Sequence, residues 1–319
     1  PVYVPEKKRW FGRTPVVIGE PYLPHVESRK GTQEEYEALA DVDCVVVRVL
    51  KTPESVLANK PSLKAVIRWG AGYDSVDIQA AGRRGIPVLN TPGVNAYTVA
   101  ELALGMMITL NRKVLGYWSN VQRGNWDRGA FTSLSLNHKT VGIVGGGNIG
   151  RRMAALVQAL GAQVIYFDAF RLAPEREQAL CMTYAPLEEL VEKADLISLH
   201  VPLLDSTRHI IGAEQLARMK PDACLINTAR GGLVDDAALL QALRAGQLAG
   251  AGLDCVEDEN SSVTQGLMTA PNVLITPHIG GSPTDLADAM IPAVAASIQS
   301  VFEGKDVKNV VNKAYLPAN

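Results

Sequence analysis

Three apolar runs in this 319-residue chain break off into residues that can do chemistry. Arg230 follows "CLINTA" and precedes Gly231 and Gly232; His278 follows "NVLITP" and precedes Ile279, Gly280 and Gly281. An arginine ending an apolar strand needs an anionic or carbonyl partner, because an unpaired buried cation is costly. A histidine can deliver or remove a proton near neutral pH. The third break, "LDCVEDEN", offers Asp254, Glu257, Asp258 and Glu259. A carboxylate beside a histidine raises its pKa and fixes its tautomer; spacing alone leaves open which of the four does so. A cation, a proton carrier and a supporting carboxylate are what reduction of a 2-keto acid requires. Of the remaining histidines, His200 ends "DLISLH" and is placed to line a cofactor cleft. His25, His138 and His209 are expected to be structural or solvated, with His209 in a helical stretch.

"VGIVGGGNIGRRMAALVQALGAQVIYFDAF" supplies the cofactor signal. Gly145, Gly147 and Gly150 form G-x-G-x-x-G between an apolar strand and an amphipathic helix, and a second strand then ends in Asp168. The glycines permit a tight turn, close approach of a pyrophosphate, and helix–strand packing; the helix N-terminus favours the phosphates. A carboxylate at Asp168 accepts from ribose hydroxyls and repels a 2′-phosphate, which favours NAD over NADP. Arg171, three residues on, pulls the other way.

The elements that must hold these residues alternate throughout. Strands are predicted at 44–49, 65–69, 86–90, 140–145, 163–168, 195–200, 223–227, 249–254 and 272–277, with "PVYV" and "PVVIG" (15–19) competing for the first place. Helices are predicted over 98–112, 149–160, 186–193, 235–245 and 283–302. Such alternation implies parallel sheets covered by helices, a Rossmann-type α/β architecture. Thr98 and Glu101 have capping-box spacing, Ser282 or Thr284 is a candidate cap for the last helix, Gly304 its stop, and Asp235 a cap before 236. The length suggests two domains. These are a block at 98–283 carrying the glycine motif and a discontinuous one from 1–97 with 284–319, hinged near 97–99 and 283–285.

Composition is that of a globular protein, 47% hydrophobic and 20% charged, with a net charge of −2. Nothing points to nucleic acid, to a membrane or to a metal. The four cysteines form no CxxC and are expected to be free thiols, mostly buried. The first residues lack the apolar stretch of a signal peptide, so a cytoplasmic location is expected.

Taken together, "IRWGAGYDSVDIQAAGRRGIPVLNTPG", "VAELALGMMI", "TVGIVGGGNIG", "LISLHVPLLDSTRHII", "LINTARGGLVDDAALLQAL", "AGAGLDCVEDE" and "ITPHIGGS" resemble the D-isomer-specific 2-hydroxyacid dehydrogenases over nearly the whole chain. The resemblance implies a Rossmann-type doubly wound domain plus a smaller, flavodoxin-like α/β domain. It implies NAD as cofactor and a homodimer built through the cofactor domain. It assigns Arg230 to the substrate carboxylate and keto oxygen, His278 to proton transfer and Glu259 to pairing with His278. Asn148 and Ile149 would meet the pyrophosphate, and Val201 and Pro202 the adenine. Thr228, Ala229, Asp254 and Gly280 fall on the nicotinamide side, and the Ala71 and Gly72 N–H groups on the substrate carboxylate. Asn148, Val256 and Asn260 depart from the commoner pattern, which has a basic residue, an aromatic and a proline there. With the chain ending at Asn319, no regulatory extension of the longer phosphoglycerate dehydrogenases is expected.

Arg48 and Arg68 match arginines of the phosphoglycerate branch and would suit an anionic tail on the substrate. Trp69 is unusual for that branch, which keeps glyoxylate and hydroxypyruvate in play. A different class of protein shares the pattern: transcriptional corepressors that use this fold as an NADH-sensing module.

Overall fold

The computed structural model describes residues 2–3, 28–29, 32–48, 50–305 and 307–317. "PVVIG" (15–19) and His25 lie outside them. The chain divides into two compact units, 1–95 with 283–319, and 96–282.

The smaller unit is built on β1 (Val2–Tyr3), β2 (Ser28–Arg29), β3 (Cys44–Val47), β4 (Ala65–Arg68) and β5 (Val88–Leu89). All pairings among them are parallel, in the order β2-β1-β3-β4-β5. That is the flavodoxin-like order, and it places Val2 and Tyr3 of "PVYV" in the sheet. Every residue of β3 and β4 is buried, as expected of strands covered on both faces. Helices α1 (Gln33–Ala38), α2 (Glu54–Ala58) and α3 (Ile78–Arg83) connect them.

The larger unit opens with α4 (Ala96–Asn111) and α5 (Val114–Gln122). Strand–helix units follow: β6 (Thr140–Val144), α6 (Asn148–Ala159), β7 (Gln163–Phe167), α7 (Pro174–Leu180), β8 (Met182–Tyr184), α8 (Leu187–Lys193) and β9 (Leu196–Leu199). Then come α9 (Ala213–Arg218), β10 (Cys224–Asn227), α10 (Asp236–Arg244), β11 (Gly250–Leu253), α11 (Ser262–Thr269) and β12 (Val273–Ile275). The seven strands are all parallel, ordered β12-β11-β10-β9-β6-β7-β8. The order reverses between β6 and β9, the switch point beyond which doubly wound sheets bind ligands. One apolar core on the sheet joins Ile197, Leu199, Leu225 and Leu253 to Leu216 and Leu239. The other joins Val141, Ile143 and Val164 to Met106, Met107 and Met153. The last helix, α12 (Leu286–Phe302), returns to the smaller unit and packs on β4.

Several local expectations need correcting. α4 begins at Ala96, so Thr98 lies buried in its first turn rather than capping it. α12 has Asp285 at its N-cap with no side-chain bond, so neither Ser282 nor Thr284 caps it. His209 sits in a turn at φ +51°, not in a helix. Cys181 is exposed, unlike Cys44 and Cys224. No described helix is long and apolar enough to cross a membrane.

Candidate active site

The glycine-rich turn is built by three different constraints. Gly145 has φ +109°, and a Cβ there would stand 2.7 Å from the His200 carbonyl carbon. A Cβ on Gly150 would stand 1.9 Å from the Gly145 oxygen, so α6 can approach β6 only without one. Gly147 has nothing within 4 Å of its built Cβ and caps α6 without a side-chain bond. The first turn of α6 thus carries no side-chain cap, the arrangement that receives a phosphate. Asn148 begins the helix, and its Oδ1 accepts from Arg151 Nη2 at 3.0 Å. This places a guanidinium in the first turn, where Asn148 itself brings no charge. Ile149 is half-buried beside them.

Asp168 follows β7. Its carboxylate accepts from the Gly146 N–H at 2.7 Å and the Phe170 N–H at 2.9 Å, which fixes it beside the turn. Val201 and Pro202 follow β9 in an irregular segment. His200, just before them, shares a hydrogen bond of 3.0 Å with Ser198 Oγ. Burial pushes its pKa down to about 4, so it is neutral at physiological pH.

The ends of β10, β11 and β12 form one connected edge. Asn227, the last residue of β10, is fully buried. Its amide donates to the Arg230 carbonyl at 2.7 Å and accepts from the Ala229 N–H at 3.1 Å. Its own carbonyl accepts from the Asp254 N–H at 2.9 Å. Thr228 is buried, and its hydroxyl has no hydrogen-bond partner among the described residues; a bound polar group is what such an orphan calls for. Arg230 is half-buried, with Nη1 donating to the Ala229 carbonyl at 2.7 Å.

Asp254, 1% exposed, holds the segment that carries His278. Its Oδ1 accepts from Thr276 Oγ1 at 2.6 Å and the Ile279 N–H at 2.8 Å, and its Oδ2 from the Gly280 N–H at 2.8 Å. His278 between them is exposed and adopts φ +54°, a conformation that non-glycine residues adopt only where the surroundings impose it. Thr228, Ala229, Asp254 and Gly280 thus share one edge with Arg230 and His278.

The acidic loop separates into distinct jobs. Glu257 accepts from Arg208 Nη1 at 2.9 Å and lies 3.2 Å from His209 Nε2, while its N–H donates to Asp236 Oδ2 at 2.7 Å. Asp258 Oδ1 accepts from the Asn260 N–H at 2.9 Å, and Ser261 caps α11. A turn bond thus shapes the loop where a proline is commoner. Glu259 is exposed, next to Asp258 in the same loop. Asn227 and Asp236 had no sequence signal, because each acts through backbone groups brought close by folding.

In the smaller unit, the loop after β4 is held by its carbonyls. Ala71 O accepts from Asn90 Nδ2 at 2.7 Å and Gly72 O from Arg68 Nε at 2.6 Å. The N–H groups of Ala71 and Gly72 close no hydrogen bond among the described residues. Arg68 is buried, and its Nη1 donates to the carbonyls of Val47, at 2.7 Å, and Arg48. Its guanidinium therefore braces backbone. Arg48 is exposed and lies 5.8 Å from the centre of the Trp69 ring.

The larger unit thus presents a glycine-rich turn at a helix N-terminus, a carboxylate fixed beside it and an orphaned hydroxyl, which fit a nicotinamide dinucleotide. Residues 104–280 match the model of the D-isomer-specific 2-hydroxyacid dehydrogenase NAD-binding domain. The chain is 38% identical over 291 residues to a glyoxylate reductase of Thermococcus litoralis, covering 89% of this chain and 87% of that one. It is 38% identical over 288 residues to a D-3-phosphoglycerate dehydrogenase of Methanocaldococcus jannaschii, covering 90% of this chain but only 55% of that one; the chain spans about half the length of that relative. Among solved structures, a D-lactate dehydrogenase of Aquifex aeolicus in complex with NAD and lactic acid superposes with a TM-score of 0.84 at 25% identity, with both chains covered in full. The chain belongs to the D-isomer-specific 2-hydroxyacid dehydrogenases, NAD-dependent oxidoreductases acting on CH–OH groups.

Proposed function

We propose that this protein interconverts a small D-2-hydroxy acid and its 2-keto acid. The observation that carries the proposal is the shared edge of β10, β11 and β12, where one buried aspartate fixes the His278 segment beside the Arg230 loop. NADH, when bound, supplies the hydride. Arg230 grips the carboxylate and polarises the keto oxygen, assisted by the Ala71 and Gly72 N–H groups. His278 gives its proton to the oxygen, and Glu259 stabilises the protonated ring. The reverse reaction uses the same groups in the opposite order.

Glyoxylate and hydroxypyruvate are the substrates of relatives matched over most of their length. Arg68 is engaged by backbone carbonyls, which leaves Arg48 to meet an anionic tail. A compact 2-keto acid therefore suits the smaller unit better than 3-phosphoglycerate. Assays of NADH oxidation over a panel of 2-keto acids test this. Glyoxylate or hydroxypyruvate should turn over fastest, and His278→Ala should lower kcat by about 10²–10⁴. Tight NADH binding without turnover of any acid would favour the sensing module instead. A homodimer through the larger unit belongs to the same proposal, supported by apolar side chains exposed on α5, and free thiols suit a cytoplasmic setting.

A further inference from the structure

The loop after β7 holds a cation that the cofactor site does not use. Asp168 follows the strand with both carboxylate oxygens bonded to backbone N–H groups. Three residues later comes Arg171. In this fold an arginine near that carboxylate is what accommodates a 2′-phosphate, so Arg171 would be expected to admit NADP.

The structure turns Arg171 elsewhere. Its Nε donates to Glu177 Oε1 at 2.8 Å and its Nη2 to Glu177 Oε2 at 3.0 Å, a two-pronged pair. The guanidinium lies 4.8 Å from the centre of the Tyr184 ring. Glu177 is held in turn: Tyr166 Oη donates to its Oε1 at 2.7 Å, and the same hydroxyl accepts from the Leu172 N–H at 2.9 Å. Tyr166 is fully buried on β7, two residues before Asp168. It packs edge-on against Tyr184, with ring centres 5.6 Å apart. Strand, loop and α7 thus converge on one carboxylate. An isolated surface ion pair contributes little. This one is two-pronged, stacked on a ring and anchored by a buried hydroxyl.

We propose that Glu177 is a specificity-determining residue: by holding Arg171 against Tyr184 it denies a 2′-phosphate its counter-charge and leaves Asp168 to select NAD. The proposal rests on the larger unit being the dinucleotide site. Arg171 and the Tyr166 hydroxyl hold the Glu177 carboxyl at a pKa of about 2, so the clamp stays charged across the physiological range.

Fluorescence titration with NADH and with NADPH tests the proposal without depending on turnover. Glu177→Gln keeps an oxygen for Tyr166 and removes the charge. It should shift the ratio of dissociation constants toward NADPH by about tenfold, the factor that one charge-assisted hydrogen bond supplies, with NADH affinity within about twofold of the parent. Adding Arg171→Ala should return the ratio to the parent value. Arg171→Ala alone should leave the ratio unmoved, since the cation is already withdrawn. Selective loss of NADPH affinity in that single variant would overturn the proposal. So would an unmoved ratio in Glu177→Gln, or a shift that survives removal of Arg171. A parent protein that binds neither dinucleotide would overturn the cofactor site itself, and the clamp with it.

Discussion

His278 stands at φ +54° with its flanking groups tied to Asp254. A left-handed non-glycine residue costs about 1–2 kcal/mol, and the three donors that the carboxylate collects around it help to hold that conformation. The positions of Arg230 and His278 could be read from the sequence because each interrupts an apolar run. Asn227 could not, because its bonds depend on how the loop folds back. Asp236 was equally hidden. It is buried, its Oδ1 has no partner among the described residues, and burial raises its pKa to about 6. A carboxyl whose pKa is raised on folding ionises first in the unfolded chain. Its contribution is therefore lost as pH rises from about 4 through about 6. Asp236→Asn keeps an acceptor for the Glu257 N–H and removes the charge. It should stabilise the protein at pH 8 by about 1–3 kcal/mol, with the gain vanishing near pH 4. Urea midpoints at the two pH values measure this; a destabilised variant at pH 8 would mean that the ionised form is needed for the Glu257 contact.

At the scale of elements, the buried strands were visible as continuous β-branched runs, because a parallel sheet covered on both faces leaves no polar alternation to blur them. Shorter pieces were not. β8 is a three-residue edge strand with an exposed residue, too brief to show a period. α5 starts from Lys113 at φ 53° without a side-chain cap, so no start signal marks it. The glycine-rich turn was visible as a motif, but its three glycines proved unequal, and that inequality is testable. Gly150→Ala places a methyl 1.9 Å from the Gly145 oxygen and should cost about 1–3 kcal/mol as the turn and helix are forced apart. Gly147→Ala points into open space at φ −73° and should change stability by less than about 0.5 kcal/mol. It should nonetheless weaken NADH binding by about tenfold or more, because the methyl occupies the pyrophosphate's approach. Thermal melts and NADH titrations on the two variants separate the effects; parent-like NADH affinity in Gly147→Ala would place the pyrophosphate away from this turn.

For the whole molecule, composition was a weak guide. A net charge of −2 and 47% hydrophobic residues describe most globular chains; parallel sheets covered by helices could be read from the alternation of strands and helices, whereas the two sheet orders, one flavodoxin-like and one Rossmann-like, emerge only from the strand pairings. Surface apolarity needs the fold to be seen. Trp118 is 58% exposed and Trp126 72%, and Leu115 and Val114 are exposed beside Trp118 on α5. The patch is ordered: Tyr117 Oη donates to the carbonyls of Arg128 and Phe131, and the Tyr117 and Phe131 rings meet edge-on at 5.0 Å. Gly116 lets the Phe131 ring close against α5, since a Cβ there would stand 2.8 Å from it. A rigid apolar patch of this kind marks an interaction surface. If its partner is a second copy, the contact is two-fold and each Trp118 faces the same patch across the axis. Sedimentation should then report about twice the 34.2 kDa chain mass. Trp118→Asp should shift the protein toward monomer while leaving NADH binding in place, because α5 supplies none of the groups of the glycine-rich turn. A parent protein that sediments as a monomer would assign the patch to a different partner.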